Sequence, residues 1–324
     1  MILILTDPRG HSRENSIYAL AKELVRQYSG EVWIAARGTV DNAPFFAARS
    51  RTIHAVRVTE QFAFDPNGRY FTTGSRAFSF TDFPVIWLRL PRPITDEWLL
   101  WLKEGSTARI VNDPAGIIET GSKEFLLNFP EYCPKMQLCH TVAEVQEFAA
   151  TTPAVLKPLR EYGGKGIVRI ENGRVQDGNT WIELTDFIPE LEQRLAQSPL
   201  LAMEFLKNVD QGDKRILWVN GNVLGASLRL PAPGSWLCNV AQGGISVPAK
   251  IDENERRILD GIGPALTQRG IVFAGIDTLV GNDGRRVLSE INTLSIGGFP
   301  QAQAQSGEPV VARAVAGLLT AARV

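Results

Sequence analysis

The 324-residue sequence is short of cysteine, of net charge and of long apolar runs, and each shortage excludes a class of protein. Its cysteines, Cys133, Cys139 and Cys238, are too few and too scattered for a disulfide framework, and with His140 they match no zinc-binding spacing. A formal net charge of -1 without long runs of one sign gives no support to a nucleic-acid groove or a charged membrane-binding patch. No window approaches a membrane span. We therefore expect a cytoplasmic protein without nucleic-acid or membrane partners, whose partners are small molecules or, in a homo-oligomer, further copies of itself.

What the sequence does contain is typical of a globular α/β protein. Hydrophobic residues make up 44% of the chain, which at this length is enough for two or three packed units. The N-terminal run MILIL ends in a polar turn and predicts a buried strand, not a signal peptide. A helical pattern from Ile17 to Tyr28 and the run VWIAA follow, so the chain begins as strand, helix and strand of an open α/β sheet.

Two polar features of this first sheet are candidate ligand contacts. Because ligands of open α/β sheets bind beyond the carboxyl ends of the strands, the loop from Asp7 to Asn15 is a candidate substrate mouth; the alternative is plain helix capping. The run VIWLRL predicts another strand and carries Arg89 between apolar residues. Arg89 either reaches solvent from an edge strand or points at a ligand.

The rest of the chain alternates between predicted strands and helices. ARIVNDP predicts a short strand, and the composition after it favours a helix from Ile117 to Phe129, with a first domain boundary near residue 118. Asp252 and Glu255 form a capping box at the start of a later helix. The segment between these two predicted helices contains five further elements. They are a helix over Thr141 to Ala150, the strand AVLKPL, a helix over Trp181 to Gln197, the strand LAMEFL, and the hairpin RILWVNGNVLGASLRL, which turns at Asn220 and Gly221.

A second hairpin, GIDTLVGNDGRRVLSEIN, places acids in two apolar strands. A two-residue turn at Asp283 and Gly284 would put Asp277 opposite Glu290, with Asn292 on the same face as Glu290. Facing carboxylates repel each other unless a cation lies between them, and carboxylate and amide oxygens suit Mg²⁺. The alternative is a surface hairpin with solvated acids, although IVFAGIDTLV is very apolar for an exposed strand.

The segment AVLKPLREYGGKGIVRI predicts a strand, a glycine-rich loop and a strand. Gly163, Gly164 and Gly166 would let the backbone approach a ligand, and exposed amides in such a loop suit phosphate oxygens. Lys157, in the strand before the loop, needs an anion if it is buried. The spacing fits neither a Walker motif nor a dinucleotide fingerprint. An ordinary hairpin turn is the alternative to a phosphate-binding loop.

In this order, these features resemble the ATP-grasp ligases, and the chain from Lys157 to Asn292 resembles bacterial glutathione synthetase. The resemblance depends on LKPLREYGGKGI, GDKR, SLRLP, NVAQGG, RGIVFAGID and SEIN, and more loosely on DPRGHSRENSIYAL and VIWLRLP. It implies an α/β ATP-grasp fold. An N-terminal open α/β, Rossmann-like domain would cover residues 1–118, a small lid subdomain residues 119–202, and a C-terminal subdomain with the metal site residues 203–324.

The resemblance also implies ATP and Mg²⁺ or Mn²⁺ as cofactors, and it implies roles for particular residues. Those for the nucleotide are Lys123, Lys157, Tyr162, Gly163, Gly164, Lys165, Gly166, Glu204, Leu206 and Asp213. Those for the metal are Asp277, Glu290 and Asn292. Catalytic stabilisation would come from Arg215 and Arg229, whose planar forks suit carboxylate and phosphate. Substrate contacts would come from Arg13, Arg89 and a lid segment with Asn239, Gly243 and Gly244.

The activity implied is that of an ATP-dependent ligase that joins a small-molecule acid to an amine. A carboxylate is a poor acyl donor, so the γ-phosphoryl group of ATP is first passed to it, and an amine then displaces phosphate. In the family the substrates would be γ-glutamylcysteine and glycine. The segment from Thr293 to Gly307, however, carries no charge where the family has a charged helix start. A ligase for a different acid or amine, and a nucleotide-binding protein without turnover, therefore stay open.

Overall fold

The structure is a computed structural model, and it describes residues 1–161, 164–178, 180–231 and 245–324. Its strands form three sheets that follow one another along the chain. The predicted domain division at residues 118 and 202 stays a prediction.

The first sheet is open and has parallel strands at its centre. Its strands are β1 (Ile2–Thr6), β2 (Val32–Ala36), β3 (Thr52–Arg57), β4 (Arg76–Ser79), β5 (Val85–Arg89) and β6 (Arg109–Val111). Its helices are α1 (Ser16–Gln27), α2 (Ala43–Ala48), α3 (Asp96–Glu104) and α4 (Pro114–Thr120). The strand order is β4-β3-β2-β1-β5-β6, with β1 parallel to β2 and β5, and β5 parallel to β6. The predicted start of strand, helix and strand is confirmed.

The second sheet is antiparallel. Its elements are β7 (Met136–Cys139), α5 (Val142–Thr151), β8 (Ala154–Pro158), β9 (Val168–Glu171), β10 (Arg174–Asp177), β11 (Thr180–Glu183), α6 (Leu184–Gln197) and β12 (Leu200–Glu204). The strand order is β11-β10-β9-β8-β12-β7. The glycine-rich loop joins β8 to β9, as predicted.

The third sheet is also antiparallel and has helices after it. Its elements are β13 (Asp213–Val219), β14 (Asn222–Leu230), β15 (Ile245–Ala249), α7 (Glu253–Gln268), β16 (Phe273–Val280), β17 (Arg286–Asn292), α8 (Phe299–Ser306) and α9 (Val310–Ala322). The strand order is β15-β14-β13-β16-β17. The predicted turn of the first hairpin is confirmed, since Asn220 and Gly221 both have positive φ, 47° and 83°. The predicted capping box of Asp252 and Glu255 is confirmed at the start of α7.

Two predicted helices are wrong in part. The helix predicted from Ile117 to Phe129 is two pieces: α4 ends at Thr120, and a 3-10 helix over Lys123–Asn128 begins after Ser122, whose side chain accepts a bond from the Glu124 amide. The helix predicted from Trp181 begins only at Leu184, because residues 180–183 pair with β10. The first break thus comes from a local side-chain cap at Ser122, and the second from strand pairing with β10.

The first and third sheets share a hydrophobic core to which Leu201 and Met203 of β12 also belong, and the other face of the second sheet forms a cluster of its own. Side chains of β1 alternate between two faces: Leu3 belongs to a cluster that reaches Ile276 in β16, and Ile4 to one that reaches Leu318 in α9. The cluster of the second sheet contains Leu156 and Phe187. The second sheet thus packs one face on the shared core and has its own cluster on the other face.

Candidate active site

Four charged residues meet on one face of the third sheet. The strand register puts Asp213 opposite Arg229 and Arg215 opposite Asp277. Arg229 donates from Nε to Asp213 Oδ1 at 2.6 Å and from Nη2 to Asp213 Oδ2 at 2.5 Å. Arg215 binds both oxygens of Asp277, with Nη2 to Oδ2 at 2.7 Å. Because Arg229 Nη2 also lies 3.0 Å from Asp277 Oδ2, the four side chains form one connected cluster.

The two acids of this cluster are in different electrostatic states. Asp277 is 2% exposed, and burial alone would raise its pKa, but Arg215 and Arg229 outweigh burial and lower it. Burial raises the pKa of Asp213 to about 6, and the charge of Asp277 adds to that rise. Asp277 is therefore the more acidic of the pair.

The predicted pairing of Asp277 with Glu290 is confirmed, but the turn predicted to set it is wrong. The loop holds three residues, since Gly281 N donates to Arg285 O at 2.7 Å, and only Gly284 has a positive φ, 83°. That loop shifts the register by one residue. An irregularity next to Asp277 shifts it back, because Thr278 pairs with Leu288 while Asp277 pairs with Glu290.

The acids of this hairpin already have cationic partners in the chain. Asp277 has its two guanidinium groups, and the Glu290 carboxylate lies 3.6 Å from Lys123 Nζ. Burial lowers the pKa of Lys157 to about 8, and the charge of Glu290 opposes that shift. Asn292 completes the predicted trio, with Nδ2 donating to Asp277 Oδ2 at 3.2 Å. The facing acids therefore need no metal ion to be tolerated, and the metal role stays a prediction.

The oxygen donors nevertheless suit a hard divalent cation. Glu290 is 25% exposed at its side chain, and Asn292 lines an open cleft. A carboxylate and an amide at the mouth of a cleft leave room for water or phosphate oxygens, which Mg²⁺ usually keeps as ligands. Both oxygens of Asp277 are bound by guanidinium groups, so Asp277 would be available only if Arg215 moved away. Within the described ranges no three Cys, His, Asp or Glu residues are grouped for metal binding.

The cleft itself has a volume of about 700 Å³ and joins the three sheets. It is lined by Pro91, Arg92, Pro93, Ile94, Arg160, Glu161, Lys165, Arg215, Asn292, Leu294, Ser295, Ile296 and Gly297. Of the predicted site, it brings together Lys165, Arg215 and Asn292. Arg92 and Arg160 were not predicted, although both lie inside quoted motifs, VIWLRLP and LKPLREYGGKGI, or directly after them. Four cationic side chains and one acid make the cleft suited to anions.

The glycine-rich loop approaches this cleft through Lys165. Gly164 and Gly166 have positive φ, 78° and 68°, and a Cβ on Gly166 would lie 2.9 Å from the Pro158 ring. Glycine is therefore required at Gly166 by both backbone conformation and space. Tyr162 and Gly163 lie outside the described residues, as do the predicted Asn239, Gly243 and Gly244, and Cys238.

Arg89 and Arg13, both predicted to contact substrate, lie in different surroundings. Arg89 is 3% exposed in an inner strand, so it does not reach solvent from a sheet edge. Its Nη2 donates to Ile296 O at 2.6 Å, its Nε has no partner among the described residues, and burial lowers its pKa to about 10. Arg13 lines a different groove of about 660 Å³ between α1 and the C-terminal helices. Arg89 is therefore bonded to Ile296, a residue that lines the cleft, whereas Arg13 belongs to a different groove.

The predicted nucleotide residues Glu204 and Leu206 lie where the second sheet passes to the third. Glu204 ends β12, and its Oε1 accepts a bond from Asn282 Nδ2 at 2.9 Å. Leu206 is buried. Lys123 donates from Nζ to the backbone oxygen of Glu161.

Among the helices of the described residues, none combines the length and apolar character needed to cross a membrane.

The arrangement of these three sheets is also found in solved ATP-grasp ligases. D-cycloserine synthetase DcsG superposes with a TM-score of 0.67 at 13% identity, covering 99% of this chain and 100% of its own. The ATP-grasp ligase PsnB, solved with a precursor peptide and AMPPNP, gives a TM-score of 0.59 at 14% identity, covering 100% of this chain and 98% of its own. The chain therefore has the ATP-grasp fold.

Sequence comparison narrows this class to one family. Residues 122–307 match the family model described as prokaryotic glutathione synthetase, ATP-grasp domain. The glutathione synthetase of Bradyrhizobium diazoefficiens is 33% identical over 258 residues, 78% of this chain and 77% of that protein. That of Prochlorococcus marinus is 32% identical over 257 residues, 77% of this chain and 79% of that protein. The chain belongs to the prokaryotic glutathione synthetase family, and it is an ATP-dependent ligase that forms carbon–nitrogen bonds.

Proposed function

We propose that this ligase is a glutathione synthetase, which joins γ-glutamylcysteine to glycine and converts ATP to ADP and phosphate. One observation carries the proposal: Lys165, Arg215 and Asn292, from three separate parts of the chain, line one cleft. A cleft of about 700 Å³ has room for a peptide acid beside the phosphates of a nucleotide.

The first step activates the acid. A carboxylate oxygen of γ-glutamylcysteine attacks the γ-phosphorus of ATP, the bond from that phosphorus to the ADP oxygen breaks, and an acyl phosphate forms. This transfer depends on positioning and charge neutralisation more than on covalent help. Lys123, Lys157 and Lys165 supply the positive charge for the phosphates, and the backbone amides around Gly164 and Gly166 supply donors. Asp213, Glu204 and Leu206 are proposed for the rest of the nucleotide.

The metal ion is proposed to be Mg²⁺ or Mn²⁺, held by Glu290 and Asn292. Asp277 would be a further ligand if its guanidinium partners, Arg215 and Arg229, released it. A bound divalent ion supplies charge neutralisation for the phosphate oxygens. Glu290 and Asn292 suit this role because one has a partly exposed carboxylate and the other lines the cleft.

The second step forms the carbon–nitrogen bond. The glycine amine attacks the acyl carbon, the carbon–oxygen bond to phosphate breaks, and the amine loses a proton as phosphate leaves. Arg215 and Arg229 are proposed to stabilise the negative charge of the acyl phosphate and of the tetrahedral oxyanion. Arg89 is proposed to bind a carboxylate of the donor, because it is a buried guanidinium whose Nε lacks a partner in the described part of the chain.

A second candidate function uses the same chemistry on a different acid or amine. It is favoured by the segment after Asn292, which lines the cleft with Leu294, Ser295, Ile296 and Gly297. These residues carry no charge, so they offer an apolar wall beside the cations of the opposite wall. Such a wall fits a substrate with an apolar side chain better than it fits glycine.

The experiment that tests the proposal is ADP release with MgATP, γ-glutamylcysteine and glycine, each omitted in turn, with mass spectrometry of the product. Release that requires all three and gives the tripeptide is the expected result. Release that requires a different acid or amine overturns glutathione synthesis in favour of the second candidate. The Glu290→Gln variant serves as a control: it should stay folded and lose Mg²⁺-dependent ADP formation, and near-normal turnover would contradict the metal assignment.

A further inference from the structure

The tip of the β16–β17 hairpin is hydrogen-bonded to the segment that connects the second and third sheets. We call residues 204–208 the linker. Asn282 Nδ2 donates to Glu204 Oε1 at 2.9 Å and to Phe205 O at 3.3 Å, and Asn282 Oδ1 accepts from Lys207 N at 2.9 Å. A fourth bond runs from Asn208 Nδ2 to Gly281 O at 2.7 Å. One side chain thus binds three residues of the linker, and its backbone neighbour binds a fourth.

The second sheet holds the linker from the other side. Glu204 N donates to Lys135 O and Phe205 N to Pro153 O, both at 2.8 Å. The Arg169 guanidinium lies 3.8 Å from the centre of the Phe205 ring. The linker is therefore held between the two sheets at their junction.

Leu206 lies between the linker residues that Asn282 binds. Asn282 binds the carbonyl of Phe205 and the amide of Lys207, the residues on either side of Leu206. Among the described residues, no hydrogen bond is made by the Leu206 amide. That amide is therefore left for a ligand, while the bonds to its neighbours restrict how the Leu206 backbone can rotate.

The same hairpin also carries the acids of the candidate metal site. Asp277 lies on β16 and Glu290 on β17, and their pairing is part of the ladder that ends at the Asn282 loop. A shift of the hairpin would move these acids and the linker together. One rigid element therefore connects the proposed adenine end of the nucleotide site with its phosphate end.

We propose that Asn282 is a positioning residue for ATP, which sets the Leu206 backbone and the Glu204 side chain at the adenine edge. The proposal rests on the proposed function, in which Glu204 and Leu206 contact the nucleotide. Asn282 itself acts through the linker. Loss of its side chain should weaken nucleotide binding and leave the affinities for acid and amine unchanged.

The test compares Asn282→Ala with the isosteric Asn282→Asp and with Asp283→Asn as the matched control. Asp283 lies in the same loop and bonds only Arg285 in the described structure. We expect the dissociation constant of AMPPNP, measured by calorimetry, to rise about five- to fiftyfold in Asn282→Ala, since two or more hydrogen bonds are lost. Asn282→Asp keeps the acceptor for Lys207 N but places a carboxylate beside Glu204, so it should also bind AMPPNP more weakly. Asp283→Asn should bind like the parent protein.

The same variants are compared by steady-state kinetics. The KM for ATP should rise while the KM values for acid and amine do not change. Unchanged AMPPNP binding in a folded Asn282→Ala or Asn282→Asp variant would overturn the proposal, and so would an equal rise in all three KM values. AMPPNP binding needs neither acid nor amine. If γ-glutamylcysteine and glycine are not substrates, the AMPPNP dissociation constants therefore still test the role of Asn282.

Discussion

At the residue scale, the acids of the candidate active site, Asp213 and Asp277, are joined into one cluster by the planar fork of arginine. Arg229 binds both oxygens of Asp213 and also contacts Asp277. A lysine could approach one carboxylate but could not hold two oxygens of Asp213 in a plane. The geometry of the cluster therefore depends on the guanidinium and not on charge alone.

Arg229→Lys tests this dependence. We expect kcat to fall on the order of a hundredfold, because a preorganised donor to the reacting oxygens is lost, while the affinity for AMPPNP changes little. Steady-state kinetics and calorimetry on the same preparation give the two values. Arg313→Lys, a substitution on the distant helix α9, is the control for handling and folding. A variant defective only in nucleotide binding would place Arg229 in the nucleotide site instead.

Asp7 gives a second prediction at this scale, for stability against pH. Burial alone would raise its pKa, but hydrogen bonds from Arg9 and Arg37 outweigh burial and lower it to about 2 from 3.8. Because the folded pKa lies below the unfolded one, the ionised Asp7 stabilises the fold above about pH 4, and this contribution is lost as the pH falls towards 2.

Asp7→Asn should therefore lower the free energy of unfolding at pH 7 by about 1 to 2 kcal/mol, allowing for screening by solvent around the exposed Arg9. The difference from the parent protein should shrink between pH 5 and pH 3. Urea unfolding at pH 7, 5 and 3 measures it. A difference that stays constant over this range would show that the ion pairs do not stabilise the fold.

At the element scale, alternation along β13 sends the residues of the GDKR motif to opposite faces. Asp213 and Arg215 face the candidate active site, whereas Lys214 faces α7. There Lys214 Nζ donates to Glu255 Oε2 at 2.5 Å, and Thr278 Oγ1 donates to Glu255 Oε1 at 2.6 Å. Glu255, which caps α7, is 0% exposed. Lys214 of the motif is thus structural and fixes helix α7 to the opposite face of the third sheet.

Glu255→Gln tests that attachment. Glutamine can still form the capping box, so the substitution removes the charge and leaves Lys214 buried without its acid. We expect a loss of about 3 to 5 kcal/mol in the free energy of unfolding. Lys214→Met/Glu255→Gln should cost less than the sum of the two single variants. Glu253→Gln, two residues before Glu255 on the same helix, is the control, and an equal loss in both variants would contradict a specific pair.

At the scale of the whole molecule, the second sheet has its own cluster on one face, contributes Leu201 and Met203 to the shared core on the other, and is joined to the third sheet by the linker. A nucleotide held at the linker, by Lys157 and by Glu290 would contact the second and third sheets at once. It should therefore stabilise the folded chain by mass action.

We expect ADP at about a hundred times its dissociation constant to raise the free energy of unfolding by about 2.7 kcal/mol. Thermal unfolding with and without MgADP measures this as a rise in Tm. In Lys157→Met the rise should be much smaller at the same ADP concentration, because a cation near the phosphates is lost. Lys135→Met, an exposed lysine of the same region, should respond like the parent protein. An equal rise in the Lys157 variant would remove Lys157 from the nucleotide site.

Much of the local structure and part of the candidate site could be predicted without the structure. Asn220 and Gly221 form the turn of a hairpin because asparagine and glycine tolerate the positive φ that the turn requires. Asp252 and Glu255 start a helix because their side chains accept hydrogen bonds from backbone amides at its N-terminus. The pairing of Asp277 with Glu290 was also predicted, although two shifts of register had to cancel for it to hold. These features depend on residues close together in sequence.

The contacts that assemble the site depend on pairs far apart in sequence. Arg215 reaches Asp277 only because β13 lies between β14 and β16, and no local pattern specifies that strand order. Asn112 is a similar case: its side chain makes two bonds at 2.8 Å to backbone oxygens of Phe273 and Thr293, and it accepts two more from the amides of Val272 and Phe273. It thereby fixes the first sheet to the third, yet its position in ARIVNDP gave no sign of this.

By itself the sequence determined most of the elements, the turn at Asn220 and Gly221, the cap of α7, and the motifs by which the chain resembles its family, because each follows from side chains within a few residues of one another. Only the tertiary structure decided that Asp277 is neutralised by two arginines, that Arg13 lies away from the cleft, and that Asn282 is hydrogen-bonded to the linker. The physical reason is that a charge or a donor in a folded protein is completed by whichever strands and loops are packed beside it, and that neighbourhood is set by the whole chain.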